Sequence, residues 1–586
     1  MCRVYPHLVN ALERRNTLEV YEVDEQMADL ALQMTRIGLP VNSQMRQEIG
    51  DRLKALRAEA VEVLRPYTEG EFRESFVDWV SVFFAAKARK GEPTAGALRV
   101  GPTQAQVELN ELLVAQKAWR DFKKNPPDPP PEDDLQACAD YDQSVSSCDE
   151  QLAALVERIK LAKVAAKAAQ FEDDANNGLV HTAESAFEIR KAIRRADCLL
   201  ALEKRGVNFG AKVQQCAILR AAGVPLIKTT GKSGLPQIDK EVLESFKRHP
   251  SAKALLSYIL TDKTINVYIE GEKRAGKGGG KARPVMVTED GYIHPLWSVH
   301  KITGRWGSSP NVQNFSKRAG GGAENLRAMI EAPEGYTFVG ADQMQLEARL
   351  IGAMSQCQYL IGVFQRGEDI HSAMAEIGFP LQWLTLAATF KEHKKALPKG
   401  EKCKCATCAE RDKMRDIVKR LEYGGFYGGK EQTLWESAVA DFPDFTLRQT
   451  REFLVVFNQR LPEVLAWRQK TLDEAIHEGV IRSPILGRCQ VFPLGRVDPT
   501  VAYNYKAQSG GADLWALGAI EFMRRWDQFN SVDARLIHNG HDSVLVLVKN
   551  ELAKRVEADV YSCWSREWNG VPFIMETKIA NRWSET

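Results

Sequence analysis

Residues 534–549 read ARLIHNGHDSVLVLVK, two apolar runs joined at Asn539 and Gly540. An Asn-Gly pair between apolar runs is a strong signal for a β-hairpin, because both residue types accept the positive backbone angles of a tight turn. The stretch therefore predicts two antiparallel strands with His541 and Asp542 at the turn.

A second strand is predicted at 336–342, where YTFVGAD is a short apolar run that ends on Asp342. Between the two strand signals, 345–480 is mainly helical in pattern, so the sequence predicts an α+β fold. Two carboxylates at strand ends would supply the oxygen ligands that paired Mg²⁺ ions need for phosphoryl transfer. Aspartates this far apart in sequence also occur without a shared site, and the pair of Asp342 and Asp542 alone leaves both interpretations open.

The segment MRDIVKRLEYGGFYGG at 414–429 places Arg415, Lys419, Tyr423 and Tyr427 four residues apart. Residues at this spacing share one helical face. Two cations suit a triphosphate, and an aromatic ring can stack on a base or a sugar. The alternative is an amphipathic helix with a mixed polar face.

Composition describes an ordinary globular protein of 586 residues, with 44% hydrophobic and 27% charged residues and a net charge of +2. These values exclude collagen-like and wholly disordered chains. The longest apolar runs fall short of the roughly 18 residues that span a bilayer, so we expect a cytoplasmic protein without a membrane partner. Basic stretches at 271–283 and 391–420 suit either phosphate contacts or solvated loops.

At these motifs the chain resembles the polymerase I-like, or family A, DNA polymerases. The segment ADQMQLEAR, at 341–349, is similar to the family's first catalytic motif. The resemblance implies that Asp342 is a Mg²⁺ ligand, that Glu347 lies beneath the sugar and excludes a 2′-hydroxyl, and that Gln345 also contacts the nucleotide.

The helical segment resembles the family's nucleotide-delivering helix. This implies that Arg415 and Lys419 bind the triphosphate, that Tyr423 lies against the incoming sugar and base, and that Tyr427 stands near the templating base. HNGHDSVLVLV resembles the third motif, and implies that Asp542 is the second metal ligand with His541 near the primer terminus.

Three further segments match in order, at 302–318, 367–371 and 504–513. The second, GEDIH, implies that its histidine reaches the nucleotide phosphates. The residues implied to contact nucleotide or DNA in these segments are Arg305, Asn311, Gln313, Asn314, His371, Asn504 and Gln508.

The resemblance implies a right-hand polymerase fold, with an antiparallel palm sheet and helical fingers and thumb. The implied divisions are an N-terminal lead-in with the first thumb helices at 1–66, a helical insertion in the thumb at 67–205, the rest of the thumb at 206–285, a first part of the palm at 286–355, fingers at 356–480 with a Cys-rich insertion at about 385–412, and a second part of the palm at 481–586.

The implied activity is template-directed addition of dNTPs to a primer 3′-hydroxyl with two Mg²⁺ ions. The alternatives are a single-subunit RNA polymerase-like enzyme, against which Glu347 argues, and a non-catalytic DNA-binding relative. Ser543, where most of the family has a glutamate, supports the second alternative. Tyr423, where many relatives have phenylalanine, implies poor discrimination against 3′-deoxy nucleotides.

Only 17 residues precede Leu18, too few for a nuclease domain, so we expect no 3′–5′ exonuclease in this chain. By analogy of position, the insertion at 67–205 is expected to bind a processivity or exonuclease partner or to clamp DNA; plain structural helices are the alternative. The compact organisation suggests a phage replicase that works as a monomer, in the host cytoplasm.

A cluster of cysteines lies ahead of the nucleotide-delivering helix, in the sequence KCKCATC that follows His393. Thiolates this close suit tetrahedral zinc, and a histidine could complete the set. The candidate ligands are His393, Cys403, Cys405 and Cys408, with free thiols in a basic loop as the alternative.

Overall fold

The computed structural model describes residues 18–69, 71–85, 104–124, 147, 150–163, 183–226, 236–270, 286–299, 301–317, 319, 323–397, 403, 405–439, 441–493 and 496–586. The chain divides into two compact units, one of Met1–Val63 with Asp239–Thr586 and the other of Leu64–Ile238. Helices and strands both occur in quantity, which confirms the predicted α+β class. The Pro-rich segment at 125–134 and the basic stretch at 271–283 lie outside the described residues.

The helices of the first unit are α1 (Leu18–Ile37), α2 (Ser43–Leu64, ending one residue into the second unit), α7 (Lys240–Ser245), α8 (Pro250–Thr264), α9 (Leu346–Ser355), α10 (Gln358–Gln365), α11 (Ile370–Gly378), α12 (Pro380–Ala396), α13 (Ala406–Phe426), α14 (Glu431–Val439), α15 (Leu447–Arg460), α16 (Pro462–His477), α17 (Pro499–Trp526) and α18 (Ala553–Trp564). Those of the second unit are α3 (Glu71–Ala85), α4 (Gln104–Lys124), α5 (Ala183–Arg205) and α6 (Lys212–Ala221), and residues 150–163 are also helical.

The strands are β1 (Leu39–Pro40), β2 (Tyr292–Ile293), β3 (Leu296–Ser298), β4 (Gly307–Ser309), β5 (Tyr336–Gln343), β6 (Val480–Arg482), β7 (Cys489–Val491), β8 (Ala534–Asn539), β9 (Ser543–Lys549), β10 (Arg566–Trp568), β11 (Val571–Phe573) and β12 (Met575–Ala580). Four of them form one sheet in the order β12-β5-β9-β8, and every neighbouring pair is antiparallel. The predicted strand at 336–342 and the predicted hairpin are therefore its two central strands and one edge.

The sheet is buried on both faces, which explains the unbroken apolar run of β9. Val544, Val546 and Val548 pack into one core with residues of α1, α17 and α18. Leu545 and Leu547 point the other way, into a core that includes residues of α2. Alternate residues of a strand face opposite sides, so a strand covered twice needs apolar residues at every position.

The N-terminal helices follow the sequence pattern closely. The helical stripe of α1 is buried, and the helix ends where Gly38 takes a φ of 73°. Asn42 begins α2, since its Oδ1 accepts a hydrogen bond from the Met45 amide at 2.8 Å. Asn42 and Ser43 are both residue types that cap helices, and Asn42 is the one that acts here because Ser43 is already inside the helix.

The segment predicted to be mainly helical, 345–480, consists of α9 to α16. Its core is aromatic and aliphatic, and the ring of Phe457 contacts those of both Phe426 and Phe453. Helix α13, which carries the cation and tyrosine ladder, packs in this core through Val418 and Leu421. The opposite side of α13 is therefore free to carry polar chemistry.

The second unit is a group of helices. Helices α3 and α5 pack together, and Arg190 Nε donates to the Ala85 carbonyl at 2.9 Å. A separate small core joins Leu112 of α4 to Leu155 and Ile159 in the helical stretch at 150–163. The predicted insertion at 67–205 lies within this unit, which continues to Ile238. Of the helices described, none has the length and apolarity needed to cross a membrane.

Candidate active site

The two aspartates lie on adjacent strands at the same end of the sheet. Asp342 is near the end of β5 and pairs in register with Ser543, the first residue of β9. The Gln343 amide donates to the Asp542 carbonyl at 2.7 Å, which joins the end of β5 to the hairpin turn. Two carboxylates 200 positions apart in sequence are thus brought side by side by one pair of strands.

The negative charge of Asp342 affects the protonation of Asp542. Both carboxylates reach solvent, yet the protein around Asp542 removes much of its water, and the negative charge of Asp342 adds to that effect. Together they raise the pKa of Asp542 to about 6. Mutual repulsion of this kind is relieved when a cation binds between carboxylates.

The hairpin turn differs in detail from the predicted Asn-Gly turn. Asn539 still belongs to β8, and the loop consists of Gly540, His541 and Asp542. The positive φ, 76°, is at His541. A Cβ at Gly540 would lie 2.0 Å from Ser543 Oγ, so a larger residue there would require the Ser543 side chain to turn away. The Asn539 side chain accepts from the His541 amide at 2.8 Å, which holds the unusual loop in place.

The segment at 302–318 lies beside this turn. Gln313 Nε2 donates to the Asn539 carbonyl at 2.9 Å. Burial lowers the pKa of His541 to about 4, with the positive charges of Arg305 and Lys301 acting in the same direction. The structure therefore brings Arg305 and Gln313 to the aspartates, whereas Asn311 and Asn314 are exposed on the outer side of the same segment.

Glu347 is held by two partners from different parts of the chain. Its Oε1 accepts from Arg305 Nη2 at 3.0 Å, and its Oε2 accepts from Tyr427 Oη at 3.3 Å. Tyr427 is buried, and burial raises its pKa, with Glu347 adding to the shift. The first catalytic motif and the end of α13 are therefore joined at one carboxylate.

Helix α13 presents its ladder as predicted, but each member has a different environment. Arg415 makes a bidentate ion pair with Asp369, with both N–O distances at 2.8 Å. Lys419 is exposed, and Tyr423 is half-buried with its ring 6.5 Å from that of His371. The ladder thus runs from charged and accessible residues to buried aromatic ones.

Asp369 was not predicted from the sequence. It caps α11 by accepting from the Ser372 amide at 3.0 Å, and Gln345 Nε2 lies 3.5 Å from its Oδ1. Burial alone would raise the pKa of Asp369, but hydrogen bonds from Arg415 and Ser372 hold it below its usual range. An aspartate directly before an apolar helix start is an N-cap signal that could have identified it.

Glu422 is the second residue that sequence reasoning missed. It is fully buried on α13, and its carboxylate contacts the ring of His371. Burial raises the pKa of Glu422, while the contact with His371 opposes that shift. The available signal was an acidic residue at a position that, by the helical period, faces the core. Buried acids are rare unless they are paired.

The remaining predicted DNA contacts, Asn504 and Gln508, lie one turn apart on α17, and both are half-buried. The neighbouring Tyr503 ring is 3.6 Å from the position that a Cβ would take at Gly428. The start of α17 is therefore adjacent to the end of α13.

The four candidate zinc ligands converge at the start of α13. His393 comes from α12, Cys403 from the segment between the helices, and Cys405 and Cys408 from the first turn of α13. Their ligand atoms all lie within 4.8 Å of one another. A hydrogen bond from the Cys408 amide, and others from the neighbouring ligands, lower the pKa of the Cys405 thiol to about 6. The cluster is separate from the aspartate pair.

Comparison with known proteins agrees with this geometry. The chain is 26% identical over 418 residues to the thermostable DNA polymerase I of Thermus aquaticus, over 68% of this chain and 44% of that protein. It is 24% identical over 371 residues to DNA polymerase I of Helicobacter pylori, over 60% of this chain and 36% of the other. The chain thus spans less than half the length of these curated relatives.

The fold is similar to that of the POL domain of Pol1 from M. smegmatis, solved as a complex with DNA primer-template and dNTP. The TM-score is 0.51 at 20% sequence identity, over 87% of this chain and 82% of that one. A family model described as DNA polymerase family A matches residues 183–398 and 401–585, which include both aspartates and all of α13. The chain therefore belongs to DNA polymerase family A.

Proposed function

We propose that this protein is a template-directed DNA polymerase that adds dNTPs to the 3′-hydroxyl of a primer. The observation that carries the proposal is the pair of Asp342 and Asp542 on adjacent strands, close enough that Asp342 helps to raise the pKa of Asp542. Phosphoryl transfer needs little covalent chemistry from the protein, so such a site works by positioning and by charge stabilisation.

The residues fit the Mg²⁺ ions that the family uses. The two carboxylates offer hard oxygen ligands at one place, and their mutual repulsion is a cost that bound cations would remove. When bound, paired Mg²⁺ ions stabilise the charge on the attacking and leaving oxygens. Asp342 and Asp542 would hold them. Ser543 stands where most of the family has a further carboxylate, so one negative charge fewer would act on the bound metal ions here.

The nucleotide would bind between α13 and the sheet. Arg415 and the exposed Lys419 would take the triphosphate, with His371 behind them, because guanidinium and ammonium groups are the natural partners of phosphate oxygens. Tyr423 would lie against the sugar and base, with Glu347 beneath the sugar. Gln345 would add a further contact at the start of α9.

We assign the palm to the four-stranded sheet and its covering helices, the fingers to α10–α16, and the thumb to the second unit with its flanking helices. Primer-template contacts would come from the 302–318 segment, the hairpin turn and the start of α17. These are Arg305, Asn311, Gln313, Asn314, Asn504, Gln508 and His541.

The proposed enzyme acts as a monomer on DNA in the cytoplasm, the host's cytoplasm if a phage encodes it. The segment 67–205 remains the proposed attachment site for a processivity or exonuclease partner. We also propose that the chain lacks proofreading, which the first experiment tests directly.

That experiment is primer extension with Mg²⁺ and dNTPs on matched and mismatched primers. Wild type and Asp542→Ala are compared with Asp533→Ala, which removes a carboxylate at the other end of the same hairpin, where Asp533 pairs with Lys549 at 2.7 Å. We expect extension by wild type and Asp533→Ala, none by Asp542→Ala, and no shortening of the mismatched primer. DNA binding without extension by wild type would instead favour the non-catalytic alternative. Equal use of rNTPs would favour the RNA polymerase alternative.

A further inference from the structure

The strongest feature outside the aspartate site is the cluster at the start of α13. His393 Nδ1 lies 3.4 Å from Cys408 Sγ, 3.5 Å from Cys403 Sγ and 3.4 Å from Cys405 Sγ. One histidine nitrogen is therefore nearly equidistant from three sulfurs. Side chains that merely fill space have no reason to direct four polar atoms at one point.

These separations match the edges of a tetrahedral metal site. With Zn–N near 2.0 Å and Zn–S near 2.3 Å, a tetrahedron has N–S edges of about 3.5 Å. The observed values of 3.4–3.5 Å are close to that figure. One nitrogen and three sulfurs form a Cys₃His set, which is a common structural zinc combination.

The surroundings suit a bound metal thiolate. Cys405 is the N-cap of α13, and its Sγ accepts from the Cys408 amide at 3.4 Å. A Cys₃His zinc centre carries a net negative charge, which the start of a helix stabilises. Cys408 is buried, and the other three ligands are half-buried, so the site is partly closed to water. All three cysteines are free thiols in this geometry.

The cluster joins α12 to the helix that carries the nucleotide contacts. Three residues beyond the last ligand, Arg411 lies over the rings of Trp383 and Phe390 on α12, at 5.0 and 4.0 Å from their centroids. Arg411 also donates to Ser372 Oγ at 2.8 Å. Arg415 follows one turn later. The start of α13 is thus held to α12 by the cluster and by the rings under Arg411, and to α11 by the bond from Arg411 to Ser372.

We propose that His393, Cys403, Cys405 and Cys408 bind one structural zinc ion that fixes the start of α13 against α12. The ligand set is closed, with four protein ligands and no position for substrate, so the ion has no part in the phosphoryl transfer. Its role is to hold the first turn of α13, and the residues from Arg411 to Arg415 that follow it, in a fixed position. The inference goes beyond the proposed polymerase activity and does not depend on it.

The test is the zinc content of the full chain. The protein is expressed in medium supplemented with zinc, and its metals are measured by elemental mass spectrometry. We expect one zinc per chain in wild type. Cys405→Ser and Cys408→Ser should each retain at least about tenfold less zinc. Cys489→Ser is the matched control, since Cys489 is exposed and outside the cluster, and it should keep the full zinc content. His393→Cys should also retain zinc, because it replaces one ligand with another.

A second measurement keeps the proposal testable if the serine variants fail to fold. Wild-type protein exchanged with Co²⁺ should show the intense visible absorption of a tetrahedral thiolate site. Chelation should then speed amide exchange in residues 406–415 but not in α17. Wild type without zinc, with no such cobalt spectrum, or with two of the three cysteines joined as a disulfide, would overturn the proposal. None of these readouts uses polymerase activity, so failure of this inference and failure of the proposed function are distinguishable.

Discussion

Replacement of Glu347 tests how the proposed polymerase excludes ribonucleotides. Both oxygens of this carboxylate are engaged, one by Arg305 at 3.0 Å and the other by Tyr427 at 3.3 Å. The side chain therefore cannot swing aside to admit a 2′-hydroxyl without losing both bonds. The cost of that movement sets the penalty on a ribonucleotide.

The penalty can be worked out from the two bonds. Hydrogen bonds to charged groups contribute about 1.5–3 kcal/mol each. Because Glu347 is 31% exposed and its bond to Tyr427 is long, we assign a free energy of about 1 kcal/mol to each bond. Displacing Glu347 then costs about 2 kcal/mol, which is a factor of about 30 in selectivity. Glu347→Ala should lower the dNTP-to-rNTP preference by about 30-fold, and Tyr427→Phe by about fivefold.

The assay is single-nucleotide incorporation on a primed template, with kcat/KM measured for a dNTP and for the matching rNTP. Glu347→Gln is the control, because it keeps the volume of the side chain and should keep most of the preference. An unchanged ratio in Glu347→Ala would refute the reasoning. A loss no larger than that of Tyr427→Phe would mean that Arg305 no longer holds Glu347 once DNA is bound.

Three further predictions concern charged residues whose partners are known. Asp542→Asn should abolish extension while primer-template affinity, measured by fluorescence anisotropy, stays within a few-fold of wild type. Asp513→Ala should destabilise the chain by about 3–5 kcal/mol in urea unfolding, because it leaves Arg488 with Asp24 alone as a charge partner and removes the acceptor of the Ser483 hydroxyl and the Leu486 amide; an unchanged midpoint would contradict this. Asp369→Asn should lower the KM for dNTPs about two- to fivefold, since it removes a carboxylate that competes with phosphate for Arg415; a raised KM would show that the ion pair positions Arg415 instead.

The parts of the site that could be predicted from sequence are those set by local periodicity. The short apolar runs of β5 and β9 placed Asp342 near the end of one strand and Asp542 just before the other, and strand pairing then brought them together. The four-residue spacing on α13 likewise fixed a common face for Arg415 and its neighbours. Such short-range patterns predict the structure well because the apolar face of each helix or strand is the face that packs in the folded protein.

The parts that could not be predicted are contacts between distant residues. Asp369 and Glu422 each meet their partners across 46 and 51 positions, and no spacing in the sequence encodes those pairs. The hairpin turn shows a smaller failure of the same kind. The Asn-Gly signal identified the right place, but Asn539 remains in β8, its side chain accepts from the His541 amide, and the positive φ is at His541.

The contacts around the proposed nucleotide site share a feature that bears on mechanism. Arg415 uses Nε and Nη2 on Asp369, and Arg305 uses Nη2 on Glu347, so donors that would meet phosphate or DNA already have protein partners. A guanidinium has only five N–H groups, and those that face a carboxylate cannot also face a phosphate in the same geometry. Arg415 keeps N–H groups outside its bidentate contact with Asp369. In the proposed enzyme it would either turn these groups to the triphosphate with Asp369 in place, or exchange Asp369 for phosphate. The Arg305–Glu347 bond would stay in place, as the penalty on a ribonucleotide requires. Because the Arg415–Asp369 pair joins α13 to the start of α11, only the exchange would loosen α13, and a lowered KM for dNTPs in Asp369→Asn would favour the exchange.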